Sequence, residues 1–230
     1  MSDFPQINQV NENTFIIYFT RDFDINMPAY IAAIIEQIKA WPEDFVTDLT
    51  PSYTSLLVNF NLLLVSSDEI QQKLLTVIQK AGHTGTDRQS RLVEIPVYYS
   101  PESGLDLIDT AKLIDVSVEE LIKLHSDPDY LVFALGFMPG FAFMGILNDK
   151  LILPRLSTPR TRVPAGSVAI AEKQTAVYPE TTPGGWRLLG KSPATLFDPE
   201  KNPPQPYQIG DRVKFKPISK QQYLSLGGQL

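Results

Sequence analysis

Three stretches between residues 136 and 190 decide the fold: GFMPGFAFMG (136–145), PRLSTPRTRVPAGSVAIA (154–171) and QTAVYPETTPGGWRLLG (174–190). Seven of the 13 glycines and four of the eight arginines lie in this segment. Glycine permits backbone angles that other residues resist, and proline fixes φ and lacks an N–H donor, so the segment must form tight turns. Short apolar runs between such turns predict a β-barrel or sandwich, with strands at 130–135, 168–171, 186–189 and 213–215.

The first third of the chain alternates strand and helix patterns. Apolar and β-branched residues at 14–19 and 56–60 predict strands, and Pro51 within 48–52 predicts a turn between them. Helical spacing of apolar residues predicts helices over 30–41 and 66–81, the second ending at Gly82. A further strand is predicted at 93–97. This order is typical of a small α+β sandwich of ferredoxin-like type.

A polar segment without periodicity, HTGTDRQS (83–90), separates the two patterns. It predicts a domain boundary, with an α+β N-terminal domain over residues 1–86 and a β-barrel domain over residues 87–230. His83 falls in this linker and is expected to be solvated.

The composition excludes several classes of protein. The 230 residues are 43% hydrophobic and 20% charged, as in ordinary globular proteins, and the net charge of −6 argues against a nucleic-acid partner. The absence of cysteine excludes disulfides, a thiolate nucleophile and a Cys-based zinc site. The N-terminus lacks a signal-peptide pattern, so a cytoplasmic location is expected. The uncharged run 130–148 is interrupted by Gly and Pro, which predicts a buried strand–turn–strand and no membrane partner.

None of the common catalytic motifs occurs, neither GxxxxGK[ST], GxGxxG, GxSxG nor HExxH. The two histidines, His83 and His125, are too far apart in sequence to suggest a metal pair, and no metal site is predicted. His125 ends a helical stripe that begins at Val118. It is either a partly buried histidine stabilised at a helix C-terminus or a catalytic or ligand-binding group.

Three arginines follow prolines closely. Pro154-Arg155 and Pro159-Arg160 repeat one dipeptide, and Arg162 comes next. A guanidinium held on a stiff, extended backbone is suited to bidentate binding of a carboxylate or phosphate. Alternatively, these arginines pair with the chain's own carboxylates, such as Asp149 or Glu180.

The motif TPGGW (182–186) contains two adjacent glycines. The N–H groups of Gly184 and Gly185 can point into a concavity and bind an anion or a carbonyl oxygen. Alternatively, the pair forms a tight turn in which glycine avoids strain.

Together with IGDRVKFKPI (209–218), the three stretches closely resemble the allophanate-hydrolase-subunit-1-like family, also called the carboxyltransferase subdomain C family. The resemblance is most specific over residues 92–218. It implies a small α+β domain followed by a cyclophilin-like β-barrel. Members of this family include the B subunit of an ATP-dependent 5-oxoprolinase and an inhibitor of a sporulation histidine kinase.

The resemblance implies a role as the B subunit of such a 5-oxoprolinase, which opens 5-oxo-L-proline to L-glutamate with ATP, and no activity of the chain alone. It implies two partners, a subunit-2-like protein with its own cyclophilin-like barrel and a lactam-utilisation protein. ATP, with Mg²⁺, is expected at the level of the complex. The alternatives are inhibition of a sensor histidine kinase, or a role within a urea carboxylase or allophanate hydrolase.

Within the matching motifs, seven residues are candidates for substrate binding. Arg155, Arg160 and Arg162 would hold a carboxylate or phosphorylated intermediate, Gly184 and Gly185 would stabilise oxyanion charge, and Gln174 and Tyr178 would orient the ring. His125, Phe141 and Pro183 are further candidates for ligand contact. Glu172 and Ala176 stand where the family usually has glycine, which bears on the shape of the pocket.

Overall fold

The computed structural model describes residues 4–22, 24–42, 44–81 and 90–230. The chain divides into two compact units, Met1–Gln89 and Ser90–Leu230. The predicted boundary after residue 86, the predicted helix stop at Gly82 and His83 all lie outside the described residues. The exact boundary therefore stays a prediction.

The first unit contains four strands and two helices within its described residues. The elements are β1 (Gln6–Asn11), β2 (Thr14–Tyr18), α1 (Met27–Lys39), β3 (Val46–Pro51), β4 (Ser55–Phe60) and α2 (Ser67–Ala81). The strands form one antiparallel sheet in the order β1-β2-β4-β3. One face of this sheet and the apolar stripes of both helices share a core, to which Phe15, Ile31, Val58 and Leu74 contribute buried side chains.

Two details of the first unit differ from the sequence-based predictions. Residues 48–52 are not a turn, because β3 runs through Pro51, which pairs with Leu56. Proline is tolerated there because β3 is an edge strand, where a missing N–H donor costs little. The strand after α2 does not complete the first sheet, and β1 occupies the edge beside β2. The unit is α+β, and the ferredoxin-like strand order is not confirmed.

The second unit, described from residue 90 onward, contains nine strands, three helices and a short 3-10 helix at Asp149–Leu151. The elements are β5 (Leu92–Val97), α3 (Leu107–Leu113), α4 (Val118–Ser126), β6 (Asp129–Leu135), β7 (Ala142–Gly145), β8 (Arg160–Val163), β9 (Ser167–Ala171), β10 (Gln174–Val177), β11 (Thr182–Gly184), β12 (Arg187–Lys191), β13 (Arg212–Pro217) and α5 (Lys220–Ser225).

Seven of these strands form a sheet that nearly closes on itself. Their order is β12-β9-β10-β7-β6-β13-β5, and β5 runs parallel to β13. At the two ends of this order, the Tyr98 N–H donates to the Lys191 carbonyl (2.8 Å) and the Lys191 N–H donates to the Tyr98 carbonyl (3.0 Å). This bridge joins the β5 edge of the sheet to the β12 edge. Closing a sheet in this way leaves no strand edge unpaired, as in a β-barrel. The architecture is consistent with a cyclophilin-like barrel.

Side chains on β9 and β10 are buried on both faces of the sheet. On one face, Val168, Ile170 and Val177 belong to the main core of the unit. On the other face, Ala169 and Ala176 pack with a smaller aromatic cluster. Because a strand points successive side chains to opposite faces, this short stretch supports two separate cores.

The uncharged run 130–148 forms the antiparallel pair β6 and β7, which confirms the predicted strand–turn–strand. Within the described parts of the chain, no helix combines the length and apolar character that crossing a bilayer requires. The cytoplasmic location stays a prediction.

Candidate functional site

Four aromatic side chains pack together within the smaller core, and we call them the aromatic cluster: Phe141, Phe143, Tyr178 and Trp186. The Phe141 ring lies at its centre, with centroids 4.9 Å from Phe143, 5.4 Å from Tyr178 and 5.9 Å from Trp186. All three contacts are edge-to-face, the arrangement that the quadrupoles of aromatic rings favour. Phe141, Tyr178 and Trp186 are at most 4% exposed, so the cluster is a buried apolar core that lies beneath Arg155.

The turn before β7 directs Phe141 inward and Phe137 outward. Phe137 and Gly140 both have positive φ, 72° and 78°. Any Cβ at Gly140 would lie 2.5 Å from the Leu196 carbonyl oxygen, so only glycine fits. Phe141 is 2% exposed and Phe137 is 62% exposed. Of the phenylalanines in this segment, Phe137 is thus exposed, Phe143 is half-buried and Phe141 is buried.

Tyr178 and Gly184 meet closely within the site. A Cβ at Gly184 would lie 2.7 Å from the Tyr178 hydroxyl oxygen, so the missing side chain makes room for this phenol. Burial raises the pKa of Tyr178, while Arg155, the Trp186 backbone N–H and Arg160 partly offset that rise. The hydroxyl is therefore protonated at neutral pH and lies within the field of both arginines.

The glycine pair does not act as a left-handed turn, because neither Gly184 nor Gly185 has a positive φ. Gly184 pairs with Arg160 across the β8–β11 ribbon. The Gly185 carbonyl accepts a hydrogen bond from the Leu156 N–H at 2.7 Å. Glycine at 184 serves close packing, and oxyanion binding by these two amides stays a prediction.

Arg155 is exposed and lies over the aromatic cluster. Its guanidinium carbon is 5.9 Å from the centroid of the Trp186 ring, a cation–π contact. No carboxylate within the described residues forms an ion pair with Arg155. The guanidinium of Arg155 therefore has N–H donors that are available to bind an anion.

Arg160 pairs with an acid that the sequence did not indicate. Its Nη2 donates to Asp106 Oδ1 at 2.6 Å, and Asp106 Oδ2 accepts from the Leu188 N–H at 2.7 Å. The partner is thus neither Asp149 nor Glu180. The other terminal nitrogen, Arg160 Nη1, is buried and has no hydrogen-bond partner in the described structure. Nothing in the sequence pointed to Asp106, which lies 54 residues away just before α3.

The remaining substrate-binding candidates lie further apart. Arg162 lines a cavity to which neither Arg155 nor Arg160 contributes. Gln174 begins β10, four residues before Tyr178, which places the two roughly 13 Å apart along the chain. Pro183 lies exposed in β11. The structure therefore brings Arg155, Arg160, Tyr178, Gly184 and Phe141 together and leaves Arg162 and Gln174 outside that group, while Pro183 adjoins Gly184.

His125 is fully buried, at the end of α4. Its Nδ1 is 2.8 Å from the Tyr99 hydroxyl and its Nε2 is 2.8 Å from Thr175 Oγ1. Because the Thr175 hydroxyl donates to the Ala169 carbonyl, it accepts from His125 Nε2–H, and Nδ1 accepts from Tyr99. Burial lowers the pKa of His125 to about 3. The imidazole is neutral, and both of its nitrogens are used inside the core.

The two positions where the family usually has glycine differ from each other. Glu172, in the turn between β9 and β10, has φ 51°, a left-handed conformation that glycine adopts without strain. Ala176 lies fully buried in the smaller core behind Tyr178. The described residues contain no group of three or more acidic or histidine side chains placed to hold a metal ion.

The family model for the carboxyltransferase domain, subdomain C and D, matches residues 5–207. The chain is 37% identical to the B subunit of 5-oxoprolinase from Bacillus subtilis (strain 168) over 227 residues, 95% of both chains. It is 41% identical to the B subunit of 5-oxoprolinase from Haemophilus influenzae over 163 residues, 71% of this chain and 72% of that protein.

Solved structures show the same fold. The protein TTHA0988 matches with a TM-score of 0.79 and 34% identity, over 90% of this chain and 40% of that longer chain. The urea amidolyase of K. lactis matches with a TM-score of 0.70 over 95% of this chain and 15% of that chain, at 15% identity, which establishes the fold alone. With the family model matching most of its length, the chain belongs to the carboxyltransferase domain, subdomain C and D, family.

Proposed function

We propose that the protein is the B subunit of an ATP-dependent 5-oxoprolinase, which opens 5-oxo-L-proline to L-glutamate. The observation that carries this proposal is the match over 95% of both chains to a relative of that name. Since the match spans both units, the likeness is not confined to a shared fold. The 5-oxoproline ring is a stable amide, so its opening is coupled to ATP hydrolysis.

The substrate carboxylate binds between Arg155 and Arg160 in this proposal. Arg155 has no acidic partner among the described residues, and Arg160 retains one buried nitrogen without an acceptor. Leaving a buried donor unpaired costs about 1–3 kcal/mol, and more for a charged group. A carboxylate oxygen that accepts from Arg160 Nη1 would remove this cost. Asp106 neutralises only one side of the guanidinium and fixes its orientation.

The lactam ring lies beside Arg155 at the edge of the aromatic cluster. There its apolar carbons contact half-buried Phe143 and the small part of Trp186 that stays exposed. The Tyr178 phenol, which burial keeps protonated, donates a hydrogen bond to the ring oxygen as negative charge develops there. The amides of Gly184 and Gly185 contribute to the same stabilisation.

ATP and Mg²⁺ belong to the assembled complex in this proposal. ATP, when bound there, supplies the phosphoryl group that activates the amide. The complex comprises this chain and two partner proteins, one subunit-2-like and the other a lactam-utilisation protein. The isolated chain is inactive.

Reconstitution tests the proposal. The chain is coexpressed with the two partner proteins encoded in the same genome, and glutamate is measured after addition of 5-oxo-L-proline and ATP. We expect glutamate only when all three proteins and ATP are present. A purified complex of all three proteins that hydrolyses ATP but forms no glutamate from 5-oxo-L-proline would contradict the proposal.

A further inference from the structure

A second hollow lies on the same unit, outside the aromatic cluster. It has a volume of about 590 Å³, and none of Arg155, Arg160, Tyr178 and Trp186 lines it. Pockets of about 300–1,000 Å³ are typical for small-molecule ligands. The hollow is thus large enough for an organic molecule and too large for a bare ion alone.

Two cations line this hollow, Arg162 at one wall and Lys191 at another. No ion pair involves either of them in the described part of the chain. Lys191 is partly buried, and this burial lowers the pKa of its ammonium group. The lining also contains two carboxylates, the side chain of Glu180 and the terminal group of Leu230, and neither forms an ion pair with Arg162 or Lys191 in the described structure.

The residues after α5 form a built wall of the hollow. The Gln229 carbonyl accepts from the Tyr223 hydroxyl at 2.8 Å and from Lys191 Nζ at 2.7 Å. A Cβ at Gly228 would lie 2.4 Å from the Tyr223 ring, so the backbone packs directly on this buried phenol. These contacts hold the ammonium group of Lys191 beside the Gln229 carbonyl oxygen.

From this arrangement we propose that the hollow is a second binding site, which takes a small organic anion whose carboxylate or phosphate group lies between Arg162 and Lys191. Two cations without ionic partners in the described structure face a hollow of ligand size, and a guanidinium and an ammonium together bind an anion more strongly than neutral donors do. The site is separate from the substrate site proposed above and does not depend on 5-oxoprolinase activity.

Anion titrations of the isotope-labelled chain test this inference. Backbone amide signals of Gly166, Ser192 and Gly228, which line the hollow, are followed by NMR while phosphate or acetate is added at constant ionic strength. We expect saturable shifts of these signals with at least one of the two anions. The anion that binds more tightly identifies whether the site prefers a phosphate or a carboxylate group. Shifts that sodium chloride reproduces at equal ionic strength would overturn the proposal.

Two variants of one residue and a matched control complete the test. Arg162→Gln should weaken anion binding about ten-fold, the loss expected for one charge-assisted contact, while Arg162→Lys should retain most of it. Arg212→Gln removes an exposed arginine from β13 and should leave binding unchanged. If Arg162→Gln bound the anion as tightly as Arg212→Gln, the assignment to this hollow would be wrong.

Discussion

Acidification should destabilise the barrel unit through His125. The imidazole has an ordinary pKa of 6.5, and burial lowers that pKa to about 3 in the folded protein. Between these values the unfolded chain binds a proton that the folded chain does not. The free energy of unfolding therefore decreases as the pH falls below 6.5, and it keeps decreasing until the pH reaches about 3.

The size of this effect follows from the two pKa values. At pH 5.5, one unit below the ordinary pKa, the unfolded histidine is mostly charged and the folded one is neutral. This single group then costs about 1.4 kcal/mol of the free energy of unfolding relative to pH 7.5. Carboxylates add their own pH dependence, so the effect must be isolated by comparison with a variant that lacks the imidazole.

The assay is urea denaturation at pH 7.5 and pH 5.5, followed by fluorescence. A Trp41→Phe background leaves Trp186 as the only tryptophan, so the signal reports the second unit. His125→Gln should lower the free energy of unfolding at both pH values, because it disturbs the hydrogen bonds to Tyr99 and Thr175. Between pH 7.5 and pH 5.5, however, the variant should lose about 1.4 kcal/mol less stability than the parent protein loses. His83→Gln, which removes the other histidine, should keep the parent's pH dependence.

Equal losses in the parent and His125→Gln would refute this reasoning. So would an NMR titration of the His83→Gln protein in which the remaining imidazole signal shifts with a pKa near 6.5. Either result would mean that the imidazole is hydrated and not part of a closed core network.

Two further substitutions test the packing of the site. Gly184→Ala should destabilise the barrel unit by about 1–3 kcal/mol in thermal denaturation, because the new Cβ would lie 2.7 Å from the Tyr178 hydroxyl oxygen. Gly185→Ala is the control: its Cβ would lie 3.7 Å from the nearest atoms, an ordinary contact distance, and stability should not change. Asp106→Asn should cost about 1–3 kcal/mol in urea denaturation, because it leaves the Arg160 charge without its partner. The exposed Asp109→Asn is its control, and similar losses for the two acids would contradict the role given to Asp106.

The sequence predicted those parts of the fold that depend on local patterns. Helical spacing at Ile31, Ile34 and Ile38 and alternation at Leu56, Val58 and Phe60 were confirmed, because each pattern requires one face to be buried. The place of the strand at 92–97 was not predictable in this way. Its partner β13 lies about 120 residues later, and local pattern does not specify such long-range pairing.

In the candidate site, too, contacts between distant parts of the chain were not predictable from local sequence patterns. The prolines before Arg155 and Arg160 singled out these two residues in the sequence, and in the structure both arginines lower the pKa of Tyr178. The separation of Arg162 and the pairing of Arg160 with Asp106 depend on tertiary packing between distant segments. For Gly184 the sequence allowed either anion binding or a tight turn, and it did not reveal that the missing side chain makes room for the Tyr178 phenol.

The most direct test of the proposed function is glutamate release by the assembled three-protein complex carrying Arg155→Gln. Arg155 is exposed and contacts the Trp186 ring, so the substitution should leave complex formation and the fold intact. We expect a loss of at least about ten-fold in kcat/KM for 5-oxo-L-proline, the minimum for one charge-assisted contact. Arg212→Gln in the same complex should retain full activity. Wild-type activity in the Arg155→Gln complex would contradict the placement of the substrate at this site.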